Sequence, residues 1–212
     1  MKLVVLGGTG RIGQQVVLRA LARGHRVVAA SRRAGAVAAE HENLTTAVAD
    51  VLDAGSLHGP LAGADAVIFA VGRPGQGPTV VRSAGIVTVA AVMRDSGVSR
   101  LVAVSPSAAT ISRRAPLSRR LWLRYAVHKV YRNPFLDAER MEDELRHTSA
   151  DWSVVRGSRL RAGPPGGRYR VVPDGLVGRE RAVSIGDFAD YVVLHTADPT
   201  ARRDIVTVTG SE

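Results

Sequence analysis

Apolar residues fall in short unbroken runs, and between the runs they recur every three or four positions. The first run is "KLVVLG". From Arg11 to Arg23 the apolar residues Ile12, Val16, Val17 and Ala20 share one helical face, and Gly24 follows as a helix stop. "RVVAAS" and "LTTAVAD" predict a second and a third strand, and Ala54 to about Leu61 a short helix. "DAVIFAVG" predicts a fourth strand, Pro78 to Ser96 a longer helix stopped at Gly97, and "RLVAVS" a fifth strand. Runs of Val, Ile, Leu and Ala without alternation read as strands buried on both faces. Strands alternating with helices need crossover connections, and hence a parallel sheet. The expected fold is α/β, a doubly wound parallel sheet in one domain spanning 1–212, with a small C-terminal portion on the substrate side.

Beyond Ser105 the pattern loosens. A basic segment leads to a helix expected over Phe135 to Thr148, then a sixth strand, "DWSVVRG". From Leu160 onward the sequence reads as a loop, a short strand at Tyr169 to Val172, a helix near Asp187 to Thr196, and a last strand, "DIVTVT". Residues 106–133 read as a basic flap and 157–185 as a substrate-side loop region.

The turn after the first strand is "LGGTGRIGQQVV". Gly7, Gly10 and Gly13 recur every three residues, and Gly8, Gly10 and Gly13 fit the G-x-G-x-x-G form. Such glycines serve a tight turn, the approach of a pyrophosphate to backbone, and close helix–strand packing. The following helix N-terminus presents free N–H groups to phosphate. In this strand–turn–helix setting the motif predicts a Rossmann dinucleotide site made by Gly7, Thr9, Gly10, Arg11, Ile12 and Gly13. Ser31, Arg32 and Arg33 end the second strand, where an NAD-binding chain carries a carboxylate. A guanidinium suits a 2′-phosphate, so NADP(H) is expected over NAD(H). Ligands of such sheets lie outside the carboxyl ends of the strands. This adds Asp50 and Val51 beside the adenine, and Ala70, Val71, Gly72 and Ser105 along the cofactor.

These residues resemble the atypical short-chain dehydrogenase/reductase group with NAD(P)H-binding, NmrA-like domains, and within it the biliverdin-IXβ reductase and flavin reductase branch. The likeness rests on "GGTGRIG", "SRR", "VADVLDA", "AVIFAVGRPGQGPTVVRSAGIVTVAAVMRDSGVSRLVAVSPSA", "RMEDELRHTSADWSVVRGSRL" and "SIGDFADYVV". It implies an NADPH-dependent reductase that passes hydride to a conjugated or aromatic acceptor of the flavin, quinone, tetrapyrrole or enone type. Two alternatives stay open: a non-catalytic NADP(H)-binding redox regulator, and a tailoring isomerase or cyclase on the same fold. Members of this branch are often monomers, so a monomer is expected. The resemblance places Ser105 and Ser107 beside the nicotinamide, where either could orient a substrate by hydrogen bonding. Strand-end capping is the competing role for both. Arg156, Gly157 and Ser158 follow the sixth strand as substrate-binding candidates, with Gly157 standing where many relatives have proline.

"YAVHK" pairs Tyr125 with Lys129 at the i, i+4 spacing used by short-chain dehydrogenases. A lysine on the same helical face lowers a phenol's pKa toward proton-transfer chemistry. Register argues against the pair. Taking Glu142 as the family's glutamate, the lysine position falls on Ala138 and the tyrosine position on Pro134, with Asn133 and Pro134 expected to break the helix between.

The net charge of +10 is almost wholly arginine, since Lys2 and Lys129 are the only lysines. Solvated surface charge accounts for most of it, and it also suits an anionic small-molecule substrate. Specific nucleic-acid binding is not expected. The chain has no cysteine, which excludes disulfides and thiolate metal sites and fits a cytoplasmic location. His25, His41, His58, His128, His147 and His195 show no ligand spacing, so no metal is expected. "MKLVVLGG" holds too short an apolar run for a signal peptide, and no run approaches a membrane span.

Overall fold

The computed structural model describes residues 1–33, 37, 40–72, 79–107, 117–118, 128–173 and 181–211, with backbone alone over 128–134. Strands β1 (Lys2–Leu6), β2 (Arg26–Ser31), β3 (Leu44–Val48), β4 (Ala66–Phe69), β5 (Arg100–Pro106) and β6 (Asp151–Gly157) join β8 (Tyr169–Pro173) and β10 (Asp204–Gly210) in one sheet. Its order is β3-β2-β1-β4-β5-β6-β10-β8. Every pairing is parallel except β10 with β8, an antiparallel edge. The chain therefore winds outward from β1 in both directions, and the strand order reverses between β1 and β4, where such sheets bind ligands.

The unbroken apolar runs have a simple cause, because each face of the sheet carries its own helix layer. On one face Leu3, Val5, Val27, Ala29, Ile68 and Val102 pack with α1 (Arg11–Ala22) and α5 (Ile185–Ala197). On the other, Val4, Leu6, Val28, Val67, Phe69 and Leu101 pack with α2 (Ala54–Leu61), α3 (Val81–Asp95) and α4 (His128–Arg146). Successive side chains point to opposite faces, so a strand covered on both sides shows no alternation.

Three expectations are corrected. β3 is not buried on both faces: it is the sheet edge, and Thr45, Thr46 and Val48 are exposed. Asn133 and Pro134 do not break a helix, since α4 runs through both from His128. Pro134 forgoes one helical N–H, but Ala138, Met141 and Leu145 are fully buried and dock the helix on α3. Tertiary packing of that stripe outweighs the local propensity. Finally, 157–185 is not only loop around one strand. β7 (Leu160–Arg161) and β9 (Val183–Ser184) pair in parallel as a second small sheet. No helix among the described residues is long and apolar enough to cross a membrane.

Candidate functional site: a cleft across the strand ends

The glycine turn is shaped by contacts that admit no side chain. Gly7 has φ +83°, and a Cβ there would stand 2.7 Å from the Ala70 carbonyl oxygen. A Cβ on Gly13 would overlap the Gly7 carbonyl oxygen, so the first turn of α1 lies directly on the loop. The N-cap of α1, Gly10, has no side chain to cap the helix, and the first turn holds no acidic residue. Free N–H groups and the positive end of the helix dipole are thus available to an anion.

Two cavities adjoin this turn. The first, of about 180 Å³, is lined by Gly7, Thr9 and Gly10 from the turn, Ser31, Arg32 and Arg33 from the end of β2, and Ala49 and Val51 beyond β3. The second, of about 240 Å³, is lined by Ile12, Ala70, Val104, Ser105, Pro106, Gly157, Ser158, Leu160 and Phe188, with Arg82 at its side. Val71 and Gly72 line both, so the two lie end to end along the carboxyl edge of β2, β1, β4, β5 and β6. Among the described residues no carboxylate lines either one.

The second cavity is held by a cross-helix cap. Asp137 of α4 accepts hydrogen bonds from the backbone N–H groups of Arg82 (3.1 Å) and Ser83 (3.0 Å) and from Ser83 Oγ (2.8 Å) at the start of α3. That cap places Arg82, whose Nε donates to the Val71 carbonyl at 3.1 Å. Ser158 Oγ is engaged with the Arg181 carbonyl at 2.8 Å. Ser105 Oγ differs: it is buried, lines the cavity and has no hydrogen-bond partner among the described residues. A buried hydroxyl left unpaired carries a desolvation cost that a ligand can relieve.

Most of the residues expected from sequence meet here, and the exceptions have clear reasons. Arg11 lines neither cavity; its side chain lies over the outer side of α1. Asp50 turns its carboxylate to its own turn, accepting from the Leu52 N–H at 3.0 Å. Ser107 lies just past β5, where its N–H donates to the Gly157 carbonyl at 2.9 Å. Arg156 points away from the cavity. It is 2% exposed and forms a two-pronged pair with Glu142: Nε to Oε1 at 3.1 Å and Nη2 to Oε2 at 2.5 Å. The cause is strand periodicity, since Val155 and Gly157 take the opposite face. Gly157 leaves room for the Phe188 ring, which a Cβ would approach to 3.1 Å. Tyr125 lies outside the described residues, as do most of the flap and the side chain of Lys129. Sequence reasoning missed Arg82, Leu160 and Phe188. Arg82 was within reach, because it opens the helix after β4 on the binding edge of the sheet.

The sequence profile of a family described as NAD(P)H-binding matches residues 7–199, from the glycine turn past the end of α5. The chain belongs to the NAD(P)H-binding family. No curated protein matches this NAD(P)H-binding chain. Among solved structures it is similar to an oxidoreductase from Lactococcus lactis (19% identity, 100% of this chain and 92% of that one, TM-score 0.81). It is similar to a short-chain dehydrogenase/reductase from Veillonella parvula in complex with NADP (18% identity, 98% and 94%, TM-score 0.79). A protein from Lactobacillus casei is 24% identical over the full length of both chains, with a TM-score of 0.81. These likenesses establish a Rossmann-like α/β fold.

The cleft fits a dinucleotide. Its two lobes meet at a narrow passage of backbone, its glycine turn leaves helix N–H groups free, and a buried hydroxyl waits at one end. Gly7, Thr9 and Gly10 would hold the pyrophosphate, Arg32 and Arg33 would border the adenosine end, and Ser105 and Ile12 the nicotinamide end.

Proposed function

We propose that this NAD(P)H-binding protein is an NADPH-dependent reductase of the biliverdin-IXβ/flavin reductase kind, acting on a planar conjugated acceptor. The observation that carries the cofactor choice is the wall of the adenosine-end cavity, where Ser31, Arg32 and Arg33 stand and, among the described residues, no carboxylate does. Guanidinium groups there pair with a 2′-phosphate, while a ribose 2′-hydroxyl would lack its usual acidic partner.

Reduced nicotinamide, when bound, supplies the hydride. The chain's own part is positioning. Leu160, Pro106 and Phe188 give the second cavity an apolar wall suited to a flat ring system. Ser105 Oγ is free to donate a hydrogen bond to a carbonyl or ring nitrogen on which charge develops. Among the described residues no histidine, lysine or carboxylate lines the cavity, and in this reading solvent supplies the proton that completes the reduction. A second reading, an NADP(H)-binding regulator without turnover, is favoured by the same lack of a proton-transfer group among the described residues.

Two measurements decide. Dissociation constants for NADPH and NADH should differ by about tenfold or more, and Arg32→Ala should weaken NADPH by a similar factor while leaving NADH unchanged. Equal affinities would overturn the cofactor choice. Loss of NADPH absorbance is then followed with flavins, quinones and conjugated ketones. Tight NADPH binding without turnover on any of them decides for the regulator.

A further inference from the structure

A third cavity lies outside the cofactor cleft. It is larger than either lobe of that cleft, at about 480 Å³, within the range of small-molecule pockets. One wall is the outer side of α1, where Arg11, Gln15 and Arg19 recur every four residues and so share a helical face. The other wall is the segment 162–165 after β7, with Ile185 at the start of α5. Among the described residues two guanidinium groups line it, and no carboxylate does.

This second wall is built rather than merely adjacent. Asp187 Oδ1 accepts from the N–H groups of Gly166 and Gly167, each at 2.7 Å, and its Oδ2 accepts from Ser184 Oγ at 2.7 Å. The Gly186 N–H donates to the Gly163 carbonyl at 3.1 Å. Gly186 has no room for a Cβ, because Pro164 and Pro165 press directly on it. Two consecutive prolines stiffen the segment further. The wall is therefore fixed before any ligand arrives.

The basic wall is unpaired. Among the described residues neither Arg11 nor Arg19 makes an ion pair, whereas Arg23, one turn on, is held by Asp190 at 2.8 Å. Arg19 Nε is buried and has no hydrogen-bond partner among the described residues. A desolvated guanidinium nitrogen without an acceptor is costly, and an anionic oxygen is the group that relieves it. Eight residues separate the two arginines, about 12 Å of helix rise.

We infer that the groove between α1 and the Gly163–Pro165 segment is a second ligand site, for an elongated small organic dianion bearing a carboxylate or phosphate near each end. Arg11 and Arg19 take the two anionic ends, and Pro164, Pro165 and Ile185 cover the apolar middle. The site is independent of whether the cofactor cleft supports turnover.

The test is calorimetric titration of suberate, an eight-carbon dicarboxylate, onto the full chain with and without saturating NADPH. Octanoate, with one carboxylate on the same chain length, is the comparison. One saturable site is expected, with the same affinity in both states and octanoate at least about tenfold weaker. Arg19→Gln and Gln15→Glu should each weaken suberate by about tenfold or more while leaving NADPH affinity and melting temperature near those of the parent. Arg94→Gln, on the exposed side of α3, should change nothing. Absence of saturable binding, displacement by NADPH, equal binding of octanoate, or equal loss in Arg94→Gln would each overturn the inference. Pyrophosphate and a short alkyl bisphosphate, titrated in the same way, separate a phosphate preference from a carboxylate one.

Discussion

Replacing Arg156 by methionine removes a guanidinium from beside a carboxylate that has almost no access to water. Glu142 is 1% exposed and Arg156 2%, and their two hydrogen bonds at 2.5 and 3.1 Å pair the charges edge to edge. Breaking a buried ion pair by removing one member costs up to about 3–5 kcal/mol. For a domain of this size each kcal/mol moves the melting temperature by about 2–4 °C, so Arg156→Met should melt roughly 6–20 °C lower. Against a typical total stability of about 5–15 kcal/mol, that loss is large. The double variant Glu142→Leu/Arg156→Met removes both charges of this pair and should recover part of that loss. Urea unfolding followed by tryptophan emission is a suitable assay, because Trp152 is buried on the same strand. The two single variants and the double form a cycle that isolates the pair's coupling. NADPH affinity should stay within about threefold throughout. An Arg156→Met protein of parental stability that had lost substrate or cofactor binding would refute the structural role and return Arg156 to the ligand site.

Further outcomes follow from the turn and from the anchored loop. Gly13→Ala drives a methyl group into the Gly7 carbonyl, so NADPH affinity should fall at least about tenfold and stability by about 1–3 kcal/mol. Both effects are read from urea midpoints and NADPH titrations. Burial pushes the Asp187 carboxyl up, but hydrogen bonds from Ser184, Gly166 and Gly167 outweigh it and hold the pKa below the ordinary value. A depressed carboxylate stabilises the fold above its unfolded pKa of about 3.9, and that share is lost as the pH falls through the folded value. Asp187→Asn should therefore be less stable than the parent at pH 7 and converge with it toward pH 3, as followed by urea midpoints across pH.

The sheet was legible because a strand packed on both sides cannot alternate, and "KLVVLG", "DAVIFAVG" and "RLVAVS" do not. The glycine turn was legible because its geometry has no other common solution. What escaped the sequence depends on contacts between distant segments. "LTTAVAD" looks interior by composition, and only strand order makes β3 an edge. Asn133-Pro134 looks like a helix stop, and only the docking of Ala138, Met141 and Leu145 carries α4 through it. Arg156 looked like a pocket residue from its place after a strand, whereas its partner lies fourteen residues back on a helix. Phe188 reaches the cleft from α5, an element whose orientation no local pattern sets.

Val71 and Gly72 line both lobes of the cleft, so a dinucleotide held as proposed would be a bivalent ligand. Each half alone meets a small cavity and can bind only modestly. Joined through their diphosphate, the second half docks at an effective concentration set by the linker rather than by the solution. Such a site would discriminate by length: free nucleotides matching either lobe would compete weakly, one lobe at a time, while the intact cofactor would gain from both. Val71 and Gly72, common to both lobes, would set that threshold.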